Sequence, residues 1–158
     1  MYEKKLQKPK DYEAIMQYAL KLIARKRYTE KELERKFQQK KMGLKRDQKK
    51  VIARLKQLRY IDDKEFAKDF IQTRLLVNPK GPNMLKLELK LKGVDKQVID
   101  NAIENANLDE YKIAKDVIRR KQKALNRVEG QKRKEKIMRT LSSRGFKLET
   151  IYKILEKW

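Results

Sequence analysis

Ala67-Lys68-Asp69-Phe70-Ile71 returns later in the chain as Ala114-Lys115-Asp116-Val117-Ile118, and Ala19-Leu20-Lys21-Leu22-Ile23 fits the same frame. A basic residue follows each at the equivalent place, as Lys26, Arg74 and Lys121. The agreement runs on at a constant offset of 52: Leu85, Leu89, Gly93, Val94, Ile99 and Ile103 superpose on Ile137, Leu141, Gly145, Phe146, Ile151 and Leu155. The first unit matches through Leu33, Phe37 and Met42, then Val51 and Leu55 after a four-residue insertion around Gly43. Self-similarity at a fixed period marks a repeat architecture. The expected organisation is three tandem three-helix repeats, at 12–61, 62–108 and 109–158, after a basic N-terminal segment at 1–11. A unit of that size is marginal alone, so helices at the junctions are expected to pack on the next unit, giving an elongated, curved array.

Working outward from the repeat, apolar residues recur at helical spacing almost everywhere. Tyr12–Lys26 carries Ile15, Ala19, Leu22 and Ile23 on one stripe. Thr29, with Glu32 three residues on, reads as a capping box opening the helix of Leu33 and Phe37. Asp47–Leu58 follows, then a short link Tyr60-Ile61-Asp62, in which Asp62 reads as the cap of the helix bearing Phe66 and Phe70. Asn78-Pro79-Lys80-Gly81-Pro82 is the clear breaker. Helices are expected near Asn83–Lys92, Lys96–Ala106, Glu110–Leu125, Gly130–Arg144 and Leu148–Lys157, with Gly93 and Gly145 at helix ends. No stretch is read as alternating like a strand, so the fold class is all-α.

Composition narrows the function. The 158 residues contain 44 Lys and Arg against 22 Asp and Glu, a formal charge of +22, and neither cysteine nor histidine. Disulfides, zinc fingers, Cys or His nucleophiles and His-ligated metals are excluded. The longest run without a charge, Ala14–Leu20, is far short of the roughly 20 residues of a membrane span, and the N-terminus lacks the apolar core of a secretory signal. A helical, basic, cytoplasmic protein is expected, with a polyanion as its first partner. The charge is uneven: residues 11–61 sum to +10, 62–108 to zero and 109–158 to +9. That pattern suggests two contact regions, or one long basic face with its acidic counterweight in the centre.

Little in the chain supports an enzyme. Ser142 and Ser143 have no histidine to activate them, and no Gly-rich phosphate loop is present. Asp62-Asp63 could be an acid/base or metal-binding pair, but neighbouring helical side chains point apart, and a helix-start Asp is usually a cap. No cofactor is implied. The functional signal lies in basic clusters: Arg25-Lys26-Arg27, Arg35-Lys36, Arg119-Arg120-Lys121, and Arg133 between Lys132 and Lys134. Cations held along helical faces neutralise phosphate. For any single lysine a solvated surface explains as much; for +22 in total it does not, because such self-repulsion opposes a compact fold. Arginine holds phosphate or carboxylate bidentately, which singles out Arg74, Arg120 and Arg144. Phe37, Phe66, Phe70 and Phe146 are expected in the core, and Tyr28 and Tyr60 are expected to brace helix junctions. Gly81-Pro82 is either an anion-binding helix start or an ordinary turn.

At this point the residues resemble a known family. The run Tyr60-Ile61-Asp62-Asp63-x-x-Phe66-Ala67-x-x-Phe70-Ile71-x-x-Arg74, followed by Lys80-Gly81-Pro82 and then Glu88-Leu89-x-x-Lys92-Gly93-Val94, is similar to the signature of the RecX regulators of the RecA recombinase. Ala19 to Leu33 fits that family's first module, and Arg144-Gly145-Phe146 with Ile151 its last. Met84-Leu85-Lys86 after Gly-Pro is a mild departure. Longer members carry extra N-terminal sequence, so a function placed there is expected to be absent here or supplied elsewhere. The resemblance implies a monomeric, non-enzymatic modulator of three three-helix modules that lies in the groove of the RecA–DNA filament. It would restrain ATP hydrolysis, strand exchange and coprotease activity; weak, salt-dependent binding of single- and double-stranded DNA is expected from the positive charge. The residues assigned to that contact are Arg25, Lys26, Arg27, Arg35, Lys36, Arg74, Lys80, Lys86, Arg119, Arg120, Lys121, Arg133 and Arg144. On charge alone, a sequence-nonspecific helical nucleic-acid-binding protein with no RecA partner is the alternative.

Overall fold

The computed structural model describes residues 10–158, and the basic segment read at 1–11 lies almost wholly outside them. Among the described residues every regular element is a helix, so the expected all-α class holds. The chain divides into two compact units: one runs to Phe66 and includes Lys92–Val94, and the other holds Ala67–Leu91 and Asp95–Trp158.

The first unit is built on α1 (Lys10–Ile23), α2 (Glu30–Gln39) and α3 (Lys45–Gln57). Ile15 and Ala19 on α1, Leu33 and Phe37 on α2, and Val51, Ile52 and Leu55 on α3 turn to one core. Burying each large apolar side chain contributes about 1.5–3 kcal/mol. The capping box at Thr29 forms as expected: Glu32 N–H donates to Thr29 Oγ1 at 3.1 Å, and Thr29 N–H donates to Glu32 Oε2 at 3.2 Å. The Thr29 hydroxyl also donates to the carbonyl of Lys92 at 2.6 Å. Asp62 caps α4 (Asp63–Val77), accepting from Lys64 N–H at 2.9 Å, while Asp63 accepts from Glu30 N–H at 3.1 Å. The two neighbouring carboxylates thus serve two different helix starts.

The second unit takes most of α4 with α5 (Pro82–Leu91), α6 (Lys96–Asn105), α7 (Glu110–Arg120), α8 (Gln122–Leu125), α9 (Gly130–Ser143) and α10 (Leu148–Leu155). Val117, Ile118, Ile137, Leu141, Phe146 and Ile151 belong to an apolar cluster within it. The helix expected over Glu110–Leu125 is interrupted at Lys121, where φ −100° and ψ 6° leave helical geometry. One run does alternate like a strand, contrary to the reading above: Leu85-Lys86-Leu87-Glu88-Leu89-Lys90-Leu91. It is helical nonetheless, because Pro82 starts a helix well and only the i, i+4 pair Leu85 and Leu89 is buried. Leu87 and Leu91 are left exposed.

Two aromatic expectations need correction. Tyr60 is 53% exposed and so lies largely at the surface of its junction, and Phe70 is only half-buried, with the Arg74 guanidinium 5.1 Å above its ring. The phenol and the ring edge both tolerate water, so neither position has to be internal.

Candidate functional site

The cations differ in their surroundings. In the second unit the residues of the Arg-x-x-x-Asn-Pro-Lys-Gly-Pro stretch converge on one joint. Arg74 Nε stands 2.9 Å from Glu88 Oε2, and Lys80 Nζ donates to Glu88 Oε1. Arg144 Nη1 donates to Asn78 Oδ1 at 2.7 Å and to the Pro79 carbonyl at 2.9 Å. The backbone closes the same joint, with Gly81 N–H donating to the Arg144 carbonyl at 2.8 Å and Asn83 N–H to the Gly145 carbonyl at 3.2 Å. The start of α5 therefore caps the end of α9. These N–H groups are spent internally, and the anion-binding alternative for Gly81-Pro82 falls away.

The first unit contains the same joint at the repeat offset. Thr29 corresponds to Gly81 and Lys92 to Arg144, and here the hydroxyl of Thr29 meets the Lys92 carbonyl. Lys92 Nζ also reaches Glu32 Oε1 at 2.9 Å, and its ammonium stands 5.7 Å over the Phe66 ring. A helix N-terminus, with its partial positive charge, is thus seated on carbonyls at a helix C-terminus, which satisfies orphan groups of both.

Other assigned cations pair along their own helix or with a neighbour. Arg119 Nη2 and Arg120 Nε lie 2.6 and 2.7 Å from the two oxygens of Asp116, and Arg120 Nη1 also reaches the carbonyls of Leu76 and Val77 at 3.3 and 3.4 Å. The hydrogen bond from Arg119, helped by Arg120, holds the Asp116 carboxyl below its usual range. Lys86 Nζ stands 2.7 Å from Asp100 and depresses that carboxyl in the same way. Arg133 Nε donates to the Val128 carbonyl at 2.8 Å.

The remaining cations are presented to solvent. Arg25, Arg27, Arg35 and Lys121 are exposed and Lys36 is half-buried. Lys26 lies 4.2 Å over the Tyr28 ring and 4.0 Å from Glu32. Arg25 borders an open cavity of about 340 Å³ with Lys21, Lys40 and Tyr18, whose ring carries the Lys40 ammonium at 4.6 Å. A second cavity, of about 360 Å³, lies between α7 and α10, with Tyr111, Trp158, Lys115, Arg119 and Lys157 around it. Of these only Arg119 was singled out from sequence. The Tyr111, Lys115, Ile118, Arg119 and Gln122 spacing along one helical stripe was the signal that could have found the rest. No cluster of three or more potential metal ligands occurs among the described residues, and none of their helices is long and apolar enough to cross a membrane.

With this geometry in place, comparison with known proteins gives a consistent result. Residues 62–103 match the model described as RecX, second three-helix domain, and residues 109–155 that of RecX, third three-helix domain. The regulatory protein RecX of Actinobacillus pleuropneumoniae serotype 5b (strain L20) is 34% identical over 136 residues, covering 86% of this chain and 86% of that protein. The regulatory protein RecX of Leuconostoc mesenteroides subsp. mesenteroides is 29% identical over 132 residues, 83% of this chain but 49% of its own; the chain thus spans about half that relative's length. The crystal structure of RecX from Lactobacillus salivarius shares the fold with a TM-score of 0.76, over 94% of this chain and 96% of that one, at 23% identity. Two matched three-helix domains, a relative aligned along most of both chains and a shared helical fold lead to one conclusion: the chain belongs to the RecX family of regulatory proteins.

Proposed function

We propose that this chain binds the RecA–DNA filament in its groove and restrains RecA's ATP hydrolysis, strand exchange and coprotease activity, acting as a cytoplasmic, non-enzymatic monomer. The observation that carries this reading is the match of residues 62–103 and 109–155 to the second and third RecX domains. The charge supports it, since a net +22 suits a partner whose interior holds a polyanion. The repeat boundaries at 12–61, 62–108 and 109–158 are part of the proposal.

The cations divide the work within this reading. Arg74, Lys80 and Arg144 have partners inside the joint between α5 and α9, so their contribution includes holding the repeats in register. Arg25, Lys26, Arg27, Arg35, Lys36, Lys86, Arg119, Arg120, Lys121 and Arg133 offer charge at or near the surface.

The test is RecA's DNA-dependent ATP hydrolysis on preformed single-strand filaments, titrated near physiological salt. Inhibition is expected well below one molecule per RecA protomer, and Arg25→Glu is expected to weaken it. A small basic protein of matched net charge is the control. Equal inhibition by both, only near saturation of the DNA, would replace this reading with sequence-nonspecific nucleic-acid binding.

A further inference from the structure

The groove between α7 and α10 combines apolar, aromatic and cationic side chains. Its floor is apolar, from the buried Ile118 and Ile154. Its walls carry two aromatic rings, Tyr111 and Trp158, the latter 40% exposed. Its rim carries Lys115, Arg119 and Lys157, and no Asp or Glu is among its lining residues. Asp116 holds Arg119 at 2.6 Å, which leaves Lys115 and Lys157 as the other cations of the rim. Lys157 Nζ stands 5.5 Å from the Tyr111 ring centroid, which places an ammonium beside a π-face. At about 360 Å³ the cavity is at the small end of ligand sites.

A simple anion would use the rim and waste the floor, and an apolar ligand would use the floor and waste the rim. A flat π-system joined to a phosphate uses both. We propose that this groove receives one unstacked base of single-stranded nucleic acid, seated against Trp158 and Tyr111, with the flanking phosphates held by Lys115 and Lys157. A duplex fits poorly, because its base faces are already stacked and only its phosphates are on offer. Aromatic platforms of this kind bind without sequence preference, since every base has a π-face. This inference concerns the free chain and does not depend on the RecA reading.

Trp158 is the chain's single tryptophan, so the site carries its own probe. The whole chain is titrated with an oligothymidylate of about ten nucleotides, long enough to cover one such site, while tryptophan fluorescence is followed without RecA. Saturable quenching is expected, with little change on adding a blunt duplex of equal length or heparin. Tyr111→Leu, which keeps Trp158, is expected to bind about tenfold more weakly. The exposed Lys115→Glu keeps the core untouched and is expected to lose affinity with its circular dichroism unchanged. Equal quenching by heparin would mean that charge alone acts and would overturn the proposal. So would unchanged affinity in Lys115→Glu. Stronger quenching by an acidic, aromatic-containing peptide than by the oligonucleotide would reassign the groove to a protein partner.

Discussion

At Gly145 the backbone takes φ +76°, and an added Cβ would overlap the Met84 amide nitrogen and stand 2.6 Å from the Met84 Cβ. Gly130 also has a positive φ, +53°, but an added Cβ there would meet nothing within 4 Å. The two glycines therefore separate the cost of conformation from the cost of contact. Gly130→Ala should lose only the left-handed penalty, about 1–2 kcal/mol. Gly145→Ala should lose that and a further 1–3 kcal/mol, roughly, for forcing backbone apart at the joint. Chemical denaturation of the two variants checks this, and equal losses would mean the joint yields freely. Gly145 was legible as a helix end because a glycine after an apolar-periodic run is a common stop. Its second task was not, because nothing in a sequence of spacings shows which backbone will arrive opposite. Arg74 and Arg144 show the same limit. Their residue type promised an anionic partner, and the structure supplies Glu88 to one and the Asn78 and Pro79 oxygens to the other.

At the scale of elements, the start of α2 concentrates several demands. Thr29 and Glu32 cap it reciprocally, and Asp63 arrives from α4 to accept the Glu30 N–H at 3.1 Å. Glu30 itself pairs with Lys56 at 2.7 Å, and that hydrogen bond lifts the Lys56 ammonium above its usual range. Burial pushes the Asp63 carboxyl above its usual range, aided by the charges of Glu30 and Asp62 and opposed by the Glu30 N–H and Lys56. A carboxyl raised in the folded state binds its proton more tightly there than in the unfolded chain. Its contribution to stability is present below the ordinary aspartate value, near 4, and is lost as pH rises through the folded value. Asp63→Asn keeps an oxygen acceptor and removes the buried charge. Its stability relative to the parent should therefore improve as pH is raised from about 4 to 7. Asp63→Ala should instead lose about 0.5–2 kcal/mol at neutral pH, as a lost cap does. Thermal melts of the three proteins across that range check the sign; an advantage of Asp63→Asn that shrinks with pH refutes it. The capping box was readable because both its members sit three residues apart. The Asp63 contact joins residues 33 apart, and local spacing cannot announce it. The break at Lys121 was equally hidden, since the apolar stripe carries on to Leu125 and periodicity alone extends a helix through it. In the alternating run of α5, the repeat offset that matches Leu85 and Leu89 to Ile137 and Leu141 is the feature that favours a helix over period-two counting.

At the scale of the molecule, the chain holds twice as many cations as anions, so pairing every acid would still leave 22 positive charges. Many of its ion pairs are solvent-exposed, such as Lys86–Asp100, Arg119–Asp116 and Lys153–Glu149, and contribute little because water and salt screen them. Salt weakens those pairs, but it also screens the repulsion of the excess positive charge, over a Debye length of about 10 Å at 0.1 M. The two effects have opposite signs, and the excess of cations decides between them. Raising sodium chloride from about 30 to about 300 mM, across which that length falls about threefold, should therefore stabilise the fold by about 1–2 kcal/mol. That appears as a rise in melting temperature of roughly 2–8 °C. Neutral osmolyte at matched osmolality is the control for effects unrelated to charge. A melting temperature that falls with salt would mean that the local pairs outweigh the net field, and the charge would then lose its standing as a reservoir of repulsion for a polyanionic partner to relieve. If it rises, the same repulsion is available to drive association, since neutralising it lowers the energy of the folded chain as the partner binds.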